Sequence, residues 1–416
     1  MDPGPSPPDE TDILIVGGGI IGTATAFRLS ARTDRAITLV ERDQIAAGAT
    51  GDSSAILRHV YGDRTVYSRM AWLGHEFYKR FEAETGYPLK TPDQRLILWG
   101  GESVEHTEPP DHSYETLKEL GYPTTRYEGE ELPAEFPLFE FDNEIEYAVS
   151  DDAAGYTEGT TAANGFANAA ADNGADIVTG VDVESITTAD GVVTGVQTAE
   201  GSIGCQALVV AAGAWSHKLL ATADVEVPVS PGREQVLLLD PPASLTDAEF
   251  DSLPTTGRGS DRPDGTWWYF RADFGRSIYM GSHGRTELAD PDNYRRSPDE
   301  SRKLEAVDIL DEFAPKLADS KLAGGFAGIY ANTPDQGFII DQVGPRGLYA
   351  LIGAGHAFKH APVIGRLAAD LVLDGESELF DLAAFSVDRF DDRTPNQPLP
   401  DSYDPEDLHL SEGRDP

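Results

Sequence analysis

The feature that most constrains this chain is a glycine-rich turn between an apolar segment and a predicted helix. Residues 12–16 are nearly all apolar, which is typical of a parallel strand that is buried on both faces. Gly17, Gly19 and Gly22 follow with the spacing G-x-G-x-x-G. In this pattern the first glycine allows a tight turn, the second lets the backbone approach a pyrophosphate, and the third lets the helix pack close to the strand. We expect a helix over residues 20–31 whose N-terminal N–H groups point at a pyrophosphate.

An acidic residue at the expected distance supports a dinucleotide site. A second apolar segment, residues 36–40, ends in Glu41, nineteen residues after Gly22. The dinucleotide-binding fold uses such a residue, about 20 positions further on, to hydrogen-bond a ribose. Glu41 suits NAD or the adenosine half of FAD and disfavours NADP, because its charge would repel a 2′-phosphate. Arg42 either stacks on the adenine or is an ordinary exposed arginine. The alternative is a glycine turn of some other α/β protein.

The charge and the cysteine content exclude several classes of partner. The chain has 72 acidic and 32 basic residues, a formal net charge of −40, spread along its length. Nucleic acid and anionic membranes are disfavoured as partners, and no apolar run approaches the roughly 20 residues that span a bilayer. Cys205 is the single cysteine, so an intrachain disulfide and a cysteine metal cluster are excluded, and we expect no metal. Without a secretory signal, we expect a cytoplasmic protein, adapted to high salt.

Changes in composition predict two discontinuous domains. A helical run at 67–84 and the hairpin signal Asp190-Gly191 belong to the first, and the aromatic, β-like segment 266–280 belongs to the second. The predicted division is a disordered leader at 1–10, a nucleotide-binding domain at 11–86, 151–225 and 325–391, a second domain at 87–150 and 226–324, and an acidic tail at 392–416.

Several polar side chains are candidates for chemistry. Arg58 and Lys359 each follow an apolar run beside a glycine-containing loop, and together they could clamp a substrate carboxylate. The alternative is a pair of ordinary ion pairs. His283, at a predicted strand end, could act as a base or hydrogen-bond donor, although a lone histidine is more often structural. His356 and His360 flank Lys359, but the further ligands of a metal site are not visible.

Taken together, these pieces resemble the monomeric sarcosine oxidase family, within the D-amino-acid-oxidase-like FAD enzymes. The resemblance extends from residue 12 to about residue 390 and is strongest in the segments 15–22, 57–62, 328–341 and 353–359. It implies FAD in place of NAD. It also implies an α/β fold in which a Rossmann-like domain with a parallel sheet binds FAD, and a second, substrate domain is built on an antiparallel sheet.

The resemblance also implies roles for individual residues. Arg58 and Lys359 match the pair that binds the substrate carboxylate, and Tyr330 and His283 match residues that face the substrate amine and the flavin. The loop from Gly355 to Lys359 matches the one beneath the flavin ring, where a helix N-terminus stabilises negative charge. From the glycine turn and these matches, the expected cofactor contacts are Gly17, Gly19, Ile20, Ile21, Gly22, Glu41, Arg42, Thr50, Ser53, Ser54, Val183, Ala212, Gly213, Gly353, Gly355, His356, Ala357, Phe358 and Lys359.

Two departures from the family refine the expected activity. Gly328 stands where the family often attaches FAD through a cysteine thioether, so we expect non-covalent FAD. Tyr279 stands where sarcosine oxidases have a lysine that helps oxygen accept electrons, which favours slower oxidase chemistry or another acceptor. We expect a monomer that oxidises the C–N bond of an amino acid by hydride transfer to FAD, with oxygen or an electron carrier as acceptor. The alternatives are a dehydrogenase that reduces a carrier and a non-catalytic dinucleotide-binding protein.

Overall fold

The computed structural model describes residues 7–101, 109–141, 144–259, 267–283 and 287–390. The strands, numbered in chain order, are β1 (Glu10–Val16), β2 (Ile37–Glu41), β3 (Ile56–Leu57), β4 (Leu96–Gly100), β5 (Thr124–Glu128), β6 (Tyr147–Asp151), β7 (Gly155–Tyr156), β8 (Asp176–Thr179), β9 (Val183–Ala189), β10 (Val192–Thr198), β11 (Gly201–Val210), β12 (Ser230–Asp240), β13 (Thr255–Gly259), β14 (Trp267–Asp273), β15 (Ser277–His283), β16 (Glu287–Leu288), β17 (Lys321–Asn332), β18 (Ile339–Gln342) and β19 (Leu348–Ile352). The helices are α1 (Ile20–Ser30), α2 (Thr65–Lys79), α3 (Phe81–Thr85), α4 (Pro110–Glu119), α5 (Leu132–Glu135), α6 (Gly159–Asp172), α7 (Ser216–Ala221), α8 (Asp247–Asp251), α9 (Glu300–Phe313) and α10 (Ala361–Asp374).

The first sheet has the predicted parallel core. Strands β8, β2, β1, β11 and β19 lie side by side in this order, and β18 adds an antiparallel edge strand next to β19. Ile13 and Ile15 of β1 are fully buried on the face covered by helices α1, α6 and α10. Leu14 packs on the other face, in a cluster with Leu220 of α7 and residues of β9 and β10. Burial on both faces explains why this segment is apolar at consecutive positions.

The hairpin expected at Asp190-Gly191 joins β9 to β10. Both residues have positive φ angles, +51° and +72°. A two-residue turn of type I′ requires this conformation at both of its central positions. The prediction from the Asp-Gly pair is therefore confirmed.

The second sheet is built on antiparallel pairs, as the resemblance implies. Its strand order is β16-β12-β15-β14-β13-β4-β6-β5, and β17 pairs with β12 along its other edge. Strands β4 and β13 are a parallel pair within it. One face packs on aromatic side chains that include Trp99, Trp268, Phe270 and Phe313, the last of these from α9. The fold is thus an α/β domain with a parallel sheet joined to a domain with an antiparallel sheet.

Two predicted elements are each divided in the structure. The helical run at 67–84 is α2 followed by α3, because Arg80 between them leaves helical geometry, with φ −105° and ψ 14°. The β-like segment at 266–280 corresponds to β14 and β15, which reverse direction at Gly275 and Arg276, both with positive φ. Apolar periodicity continues through the first break and therefore does not show it, whereas polar residues and Gly275 interrupt the apolar segment at the second break.

The predicted domain limits stay predictions, but three of them fall inside strands. The limit between residues 150 and 151 lies within β6. Strand β1 begins at Glu10, the last residue of the predicted leader, which pairs with Gly204. Strand β17 crosses the limit between residues 324 and 325 and pairs with β12 along its whole length. Residues 1–6 of the leader and the tail at 392–416 lie outside the described residues. Among the helices that are described, none combines the length and the apolar character needed to cross a bilayer.

Candidate active site

A cavity of about 420 Å³ lies at the carboxyl ends of the parallel strands. Its wall includes Val16 at the end of β1, Glu41 at the end of β2, Ala211 after β11 and Gly353 after β19. In open α/β sheets ligands bind at this edge. The position of the cavity therefore agrees with the dinucleotide site expected from the glycine turn.

The glycine turn shapes one end of the cavity. Gly17 has a φ of +116°, and a Cβ atom there would lie 2.4 Å from the carbonyl oxygen of Ala211. A Cβ atom on Gly22 would lie 2.0 Å from the carbonyl oxygen of Gly17, so this residue allows α1 to pack on the turn and does not line the cavity. The N–H of Ile20 donates to the side-chain oxygen of Thr50 at 2.9 Å. This hydrogen bond occupies one of the N–H groups that we expected to point at a pyrophosphate.

Most of the predicted cofactor contacts lie on the cavity wall. Those that do are Gly17, Gly19, Ile20, Ile21, Glu41, Arg42, Thr50, Ser53, Val183, Ala212, Gly213, Gly353, Gly355, Ala357 and Phe358. Gly22, Ser54, His356 and Lys359 do not line it. The backbone carbonyl of Ser54 instead accepts hydrogen bonds from Arg271 at 2.8 and 3.1 Å, and the ring of His356 bonds the carbonyl oxygen of Gln336 at 2.7 Å.

At the end of the cavity that contains Glu41, the side chains make more contacts than the sequence indicated. The Glu41 carboxylate accepts the N–H groups of Gly18 and Asp43 at 2.7 and 2.8 Å. These bonds fix its orientation at the cavity wall. The guanidinium carbon of Arg42 lies 4.9 Å from the ring centroid of Trp215, and stacking of Arg42 on the adenine stays a prediction.

A loop from the second sheet closes over this end. Asp292 accepts the indole N–H of Trp215 at 2.6 Å and an N–H of the Lys218 ammonium at 2.5 Å, and it lies 3.7 Å from the guanidinium of Arg42. Asp290 also binds Lys218, at 2.5 Å. Sequence reasoning missed Trp215, Lys218 and Asp292 as cavity residues. Lys218 and Asp292 are isolated charged residues in an acidic chain and give no local signal, and the contacts of Trp215 with Arg42 and Asp292 arise only in the fold.

A glycine turn, an acidic side chain beside it and an elongated, largely apolar wall together fit a dinucleotide such as FAD. At the far end, the wall includes Ile329, Tyr330 and Ala331 of β17 and the loop that contains Gly355. A Cβ atom on Gly355 would lie 2.5 Å from the ring of Tyr330, and its φ is +76°. A side chain at position 355 would therefore be strained and would collide with Tyr330.

Arg58 and Lys359 meet at a single aromatic ring. The guanidinium carbon of Arg58 lies 4.3 Å from the ring centroid of Tyr61, and the Lys359 ammonium nitrogen lies 5.8 Å from it. Lys359 is buried and donates to the carbonyl oxygen of His356 at 3.2 Å, and Arg58 donates to the carbonyl oxygen of Val60. The structure therefore brings together two cations that are 301 residues apart in the sequence. Tyr61 belongs to the segment 57–62, but no sequence signal indicated its role.

The histidines beside these cations are neutral. Burial, followed by the charge of Lys359, lowers the pKa of both His356 and His360 well below the usual value. The hydroxyl of Tyr61 lies 2.8 Å from Nε2 of His360. The positive charge at this end of the site thus resides on Lys359, Arg58 and Arg64 and not on the histidines, and binding of a carboxylate requires such a charge.

Tyr330, on strand β17 of the second sheet, lines the cavity. Burial, followed by Tyr269 and Glu234, raises the pKa of Tyr330 well above its usual value, although Arg58 acts in the opposite direction. Its hydroxyl therefore stays protonated near neutral pH and can donate a hydrogen bond. His283 ends β15, where its backbone pairs with that of Trp267, but its side chain lies outside the described part of the structure, so its role stays a prediction.

A buried cation on the adjacent strand lies next to Tyr279. Tyr279 is buried on β15, and its ring centroid lies 4.9 Å from the guanidinium carbon of Arg271 on the neighbouring strand β14. Arg271 is itself buried and is held by the carbonyl of Ser54 and the carboxylate of Asp273. The sequence expectation concerned a lysine at position 279, and the effect of its replacement by tyrosine on the reaction with oxygen stays a prediction.

Comparisons with known proteins agree with this geometry. Residues 12–371 match a family model described as FAD dependent oxidoreductase. Monomeric sarcosine oxidase of Bacillus sp. (strain NS-129) is 27% identical over 391 residues, which cover 91% of this chain and 96% of that protein. The monomeric sarcosine oxidase of Arthrobacter sp. (strain TE1826) is 26% identical over 390 residues, with the same coverage.

A solved structure has the same fold over almost the whole chain. L-proline dehydrogenase from P. horikoshii superposes with a TM-score of 0.80 at 23% identity, covering 92% of this chain and 99% of that one. The resemblance to sarcosine oxidases inferred from sequence segments is confirmed. Because the family model matches most of its length, this chain is an oxidoreductase enzyme that belongs to the FAD dependent oxidoreductase family.

Proposed function

We propose that this protein oxidises the C–N bond of an α-amino acid, such as a sarcosine-like N-methyl amino acid, to an imine that water then hydrolyses. The observation that supports this most directly is that Arg58 and Lys359 share the ring of Tyr61. Two cations around one ring, close to the end of the cavity that contains Tyr330, suit a small substrate with a carboxylate. The relatives named monomeric sarcosine oxidase support the same substrate class.

We assign some residues of the site to binding the substrate carboxylate and others to orienting the substrate. Arg58 binds the carboxylate through two parallel hydrogen bonds, and Lys359 adds a point charge. Tyr330, which stays protonated, donates a hydrogen bond that orients the substrate, and His283 faces the substrate amine. Bound FAD supplies the two-electron acceptor for the substrate hydride. Holding the reacting C–H bond in one orientation is the main contribution of the protein to the rate.

We propose that FAD is held without a covalent bond. Position 328, where the family often has the linking cysteine, is glycine, and a Cβ atom there would already lie 3.0 Å from Cβ of Asp52. Cys205 pairs with Thr11, so at about 3.3 Å per residue it lies roughly 16 Å along the strands from Val16 and the cavity. Acid precipitation should leave the yellow colour in solution. Colour that stays with the precipitate would show a covalent link.

The electron acceptor is either oxygen or a carrier, and Tyr279 gives a reason to test both. A tyrosine at this position favours the dehydrogenase alternative, whereas the guanidinium of Arg271 beside it can stabilise the negative charge that develops on oxygen. The release of peroxide in air should be compared with the reduction of an electron-accepting dye in the absence of air. We further propose that the protein is a monomer in a salt-rich cytoplasm.

Anaerobic titration tests the proposal. A panel of N-methyl and D-amino acids should bleach the visible flavin band with at least one member, whereas a non-catalytic dinucleotide-binding protein would keep its flavin oxidised with all of them. Arg58→Ala should raise KM about 10- to 100-fold, because a hydrogen bond to a charged group contributes about 1.5–3 kcal/mol and Lys359 alone remains to bind the carboxylate. An unchanged KM for every amino acid turned over would refute the carboxylate clamp.

A further inference from the structure

We propose that helix α2, together with the buried chain Asp151–His59–His75, positions Arg58 and Lys359 relative to each other so that they can grip a carboxylate. This inference rests on the proposed function, since it concerns the same carboxylate clamp. It assigns a role to three residues that do not line the cavity.

Asp151 fixes the residue that directly follows Arg58. At the end of β6, its carboxylate accepts the backbone N–H of His59 at 2.6 Å and lies 3.0 Å from Nδ1 of the same residue. A carboxylate only accepts hydrogen bonds, so Nδ1 of His59 carries a proton. Both residues are at most 1% exposed. The backbone and the ring of His59 are therefore held by one carboxylate from the second sheet.

His75 on α2 continues the chain. Its Nδ1 lies 3.2 Å from Nε2 of His59, and the two rings are within 13° of parallel. Burial, followed by the neighbours His59 and Lys79, lowers the pKa of His75 to about 3, so the ring is neutral and carries one proton. His75 is 1% exposed. The hydrogen bonds thus connect β6, the segment of Arg58 and α2 without an exposed link.

The same helix also contacts the segment of Lys359. A Cβ atom on Gly74 would lie 2.0 Å from the carbonyl oxygen of Lys359, so the helix backbone is seated directly on that residue. One turn later, the hydroxyl of Tyr78 donates to the carbonyl oxygen of Phe358 at 2.8 Å, and the two rings are stacked with centroids 5.4 Å apart. Helix α2 therefore contacts the segments of both cations through residues that are adjacent or one turn apart.

The contacts of α2 with the segments of both cations have a consequence for the binding of the substrate. Productive binding constellations need side chains held within about 0.5 Å by the residues behind them. A relative shift of the two segments would weaken the binding of a carboxylate that contacts both Arg58 and Lys359. It would not change the binding of a substrate without a carboxylate, because such a substrate makes no contact with the clamp.

Asp151→Asn is the first test, because it keeps the size of the side chain and removes an acceptor. The best amino-acid substrate is compared with its own amide, which lacks the carboxylate, and acetate binding is followed through the flavin spectrum. We expect the KM for the acid and the Kd for acetate to rise about tenfold or more. The kcat for the acid, the KM for the amide and the affinity for FAD should stay within about twofold of the wild type.

A pair of variants at His75 keeps the test decisive if Asp151→Asn does not fold. His75→Leu removes the hydrogen bond to His59 and should raise the KM for the acid alone. His75→Asn places an amide near Nδ1 of the original ring and should restore most of the loss. Ser68→Ala is the matched control, because Ser68 is buried on the same helix and its hydroxyl has no hydrogen-bond partner among the described residues. It should leave every constant unchanged.

The outcomes separate the two proposals. If the wild-type enzyme neither binds acetate nor prefers the acid to its amide, the carboxylate clamp is refuted, and the positioning role is refuted with it. If the wild type prefers the acid but the variants change acid and amide equally, or change neither, the positioning role is refuted and the clamp stands. A rise restricted to the acid, rescued by His75→Asn, supports the positioning role.

Discussion

Tyr61 is the residue on which the two cations of the site converge. An arginine or lysine over an aromatic ring gains about 0.5–2 kcal/mol. Tyr61→Leu removes the ring from both Arg58 and Lys359, so we expect the KM for an amino-acid substrate to rise about tenfold. Tyr61→Phe keeps the ring and loses only the hydroxyl near His360, so its effect should be about threefold or less. The measurement is the KM of both variants from steady-state kinetics. Equal losses in the two would attribute the effect to the hydroxyl and contradict the role of the ring.

His75 makes the stability of the fold sensitive to acid. Its pKa is lowered from an ordinary value of about 6.5 to about 3 in the folded protein. As the pH falls below 6.5, the unfolded chain therefore binds the proton first, and stability is lost until about pH 3. Between pH 6.5 and pH 5 this loss is about 1.5 kcal/mol.

His75→Leu removes that titrating group. Its free energy of unfolding, measured with denaturant, should gain about 1.5 kcal/mol relative to the wild type on going from pH 6.5 to pH 5. Ser68→Ala should keep a constant difference from the wild type over the same interval. A difference between His75→Leu and the wild type that does not change with pH would show that His75 is not held neutral by the fold.

Residues of the site differ in how visible they are in the sequence. Arg58 and Lys359 were candidates because each follows an apolar run in a chain with few cations, and the family resemblance gave them the role of binding a carboxylate. Tyr61 and Arg271 could not be predicted, because their roles arise from contacts between segments that only the fold brings together. Asp151 is one of 72 acidic residues, and its neighbours in the sequence form no motif that would distinguish it from the others.

At the scale of elements, the local pattern of apolar residues and glycines predicted those elements whose burial can be inferred from their own sequence. Strand β1 and helix α1 were predicted almost to the residue, because strands buried on both faces are continuously apolar and glycines mark the turn. Pairing between distant segments was not predictable in this way. Strand β17 belongs with β12 over its whole length, although its glycine-rich sequence resembles the loop segments of the first domain.

The loop after β16, which we call the strap, contacts the end of the cavity that contains Glu41, where we propose that the adenosine half of FAD binds. Asp292 connects it to Trp215, Lys218 and Arg42. Asp292→Ala removes these contacts, and because exposed ion pairs contribute about 0–1 kcal/mol, we expect FAD to dissociate about two- to fivefold faster. The measurement is the rise in flavin fluorescence after dilution at low ionic strength.

A matched control exists in the second domain. Asp247 forms an exposed ion pair with Arg276, and neither residue lines the cavity. Asp247→Ala should therefore leave the dissociation rate of FAD unchanged. The difference between the two variants should disappear in 1 M KCl, where the screening length is about 3 Å. Equal rates for Asp292→Ala and the wild type at low salt would exclude the strap as a determinant of FAD retention.

At the scale of the whole molecule, composition limited the classes of partner and the fold class, but not the order of strands. The parallel sheet takes its strands from three separate parts of the chain, and the second sheet takes its strands from the parts between them. Such an arrangement follows from pairing over long distances, which composition does not encode. Charge, in contrast, is additive along the sequence and can be counted directly.

The net charge of −40 should make stability depend on salt. Like charges spread over one surface repel one another in dilute buffer, and raising KCl from 0.1 M to 1 M shortens the screening length from about 10 Å to about 3 Å. We therefore expect the Tm of the FAD-loaded protein, followed by circular dichroism, to rise by about 5 °C or more, since about 1 kcal/mol shifts Tm by roughly 2–4 °C in a chain of a few hundred residues. NaCl at the same ionic strength should give a similar rise, because screening does not depend on the identity of a monovalent cation. A Tm that stays constant or falls between these KCl concentrations would refute the adaptation to a salt-rich cytoplasm.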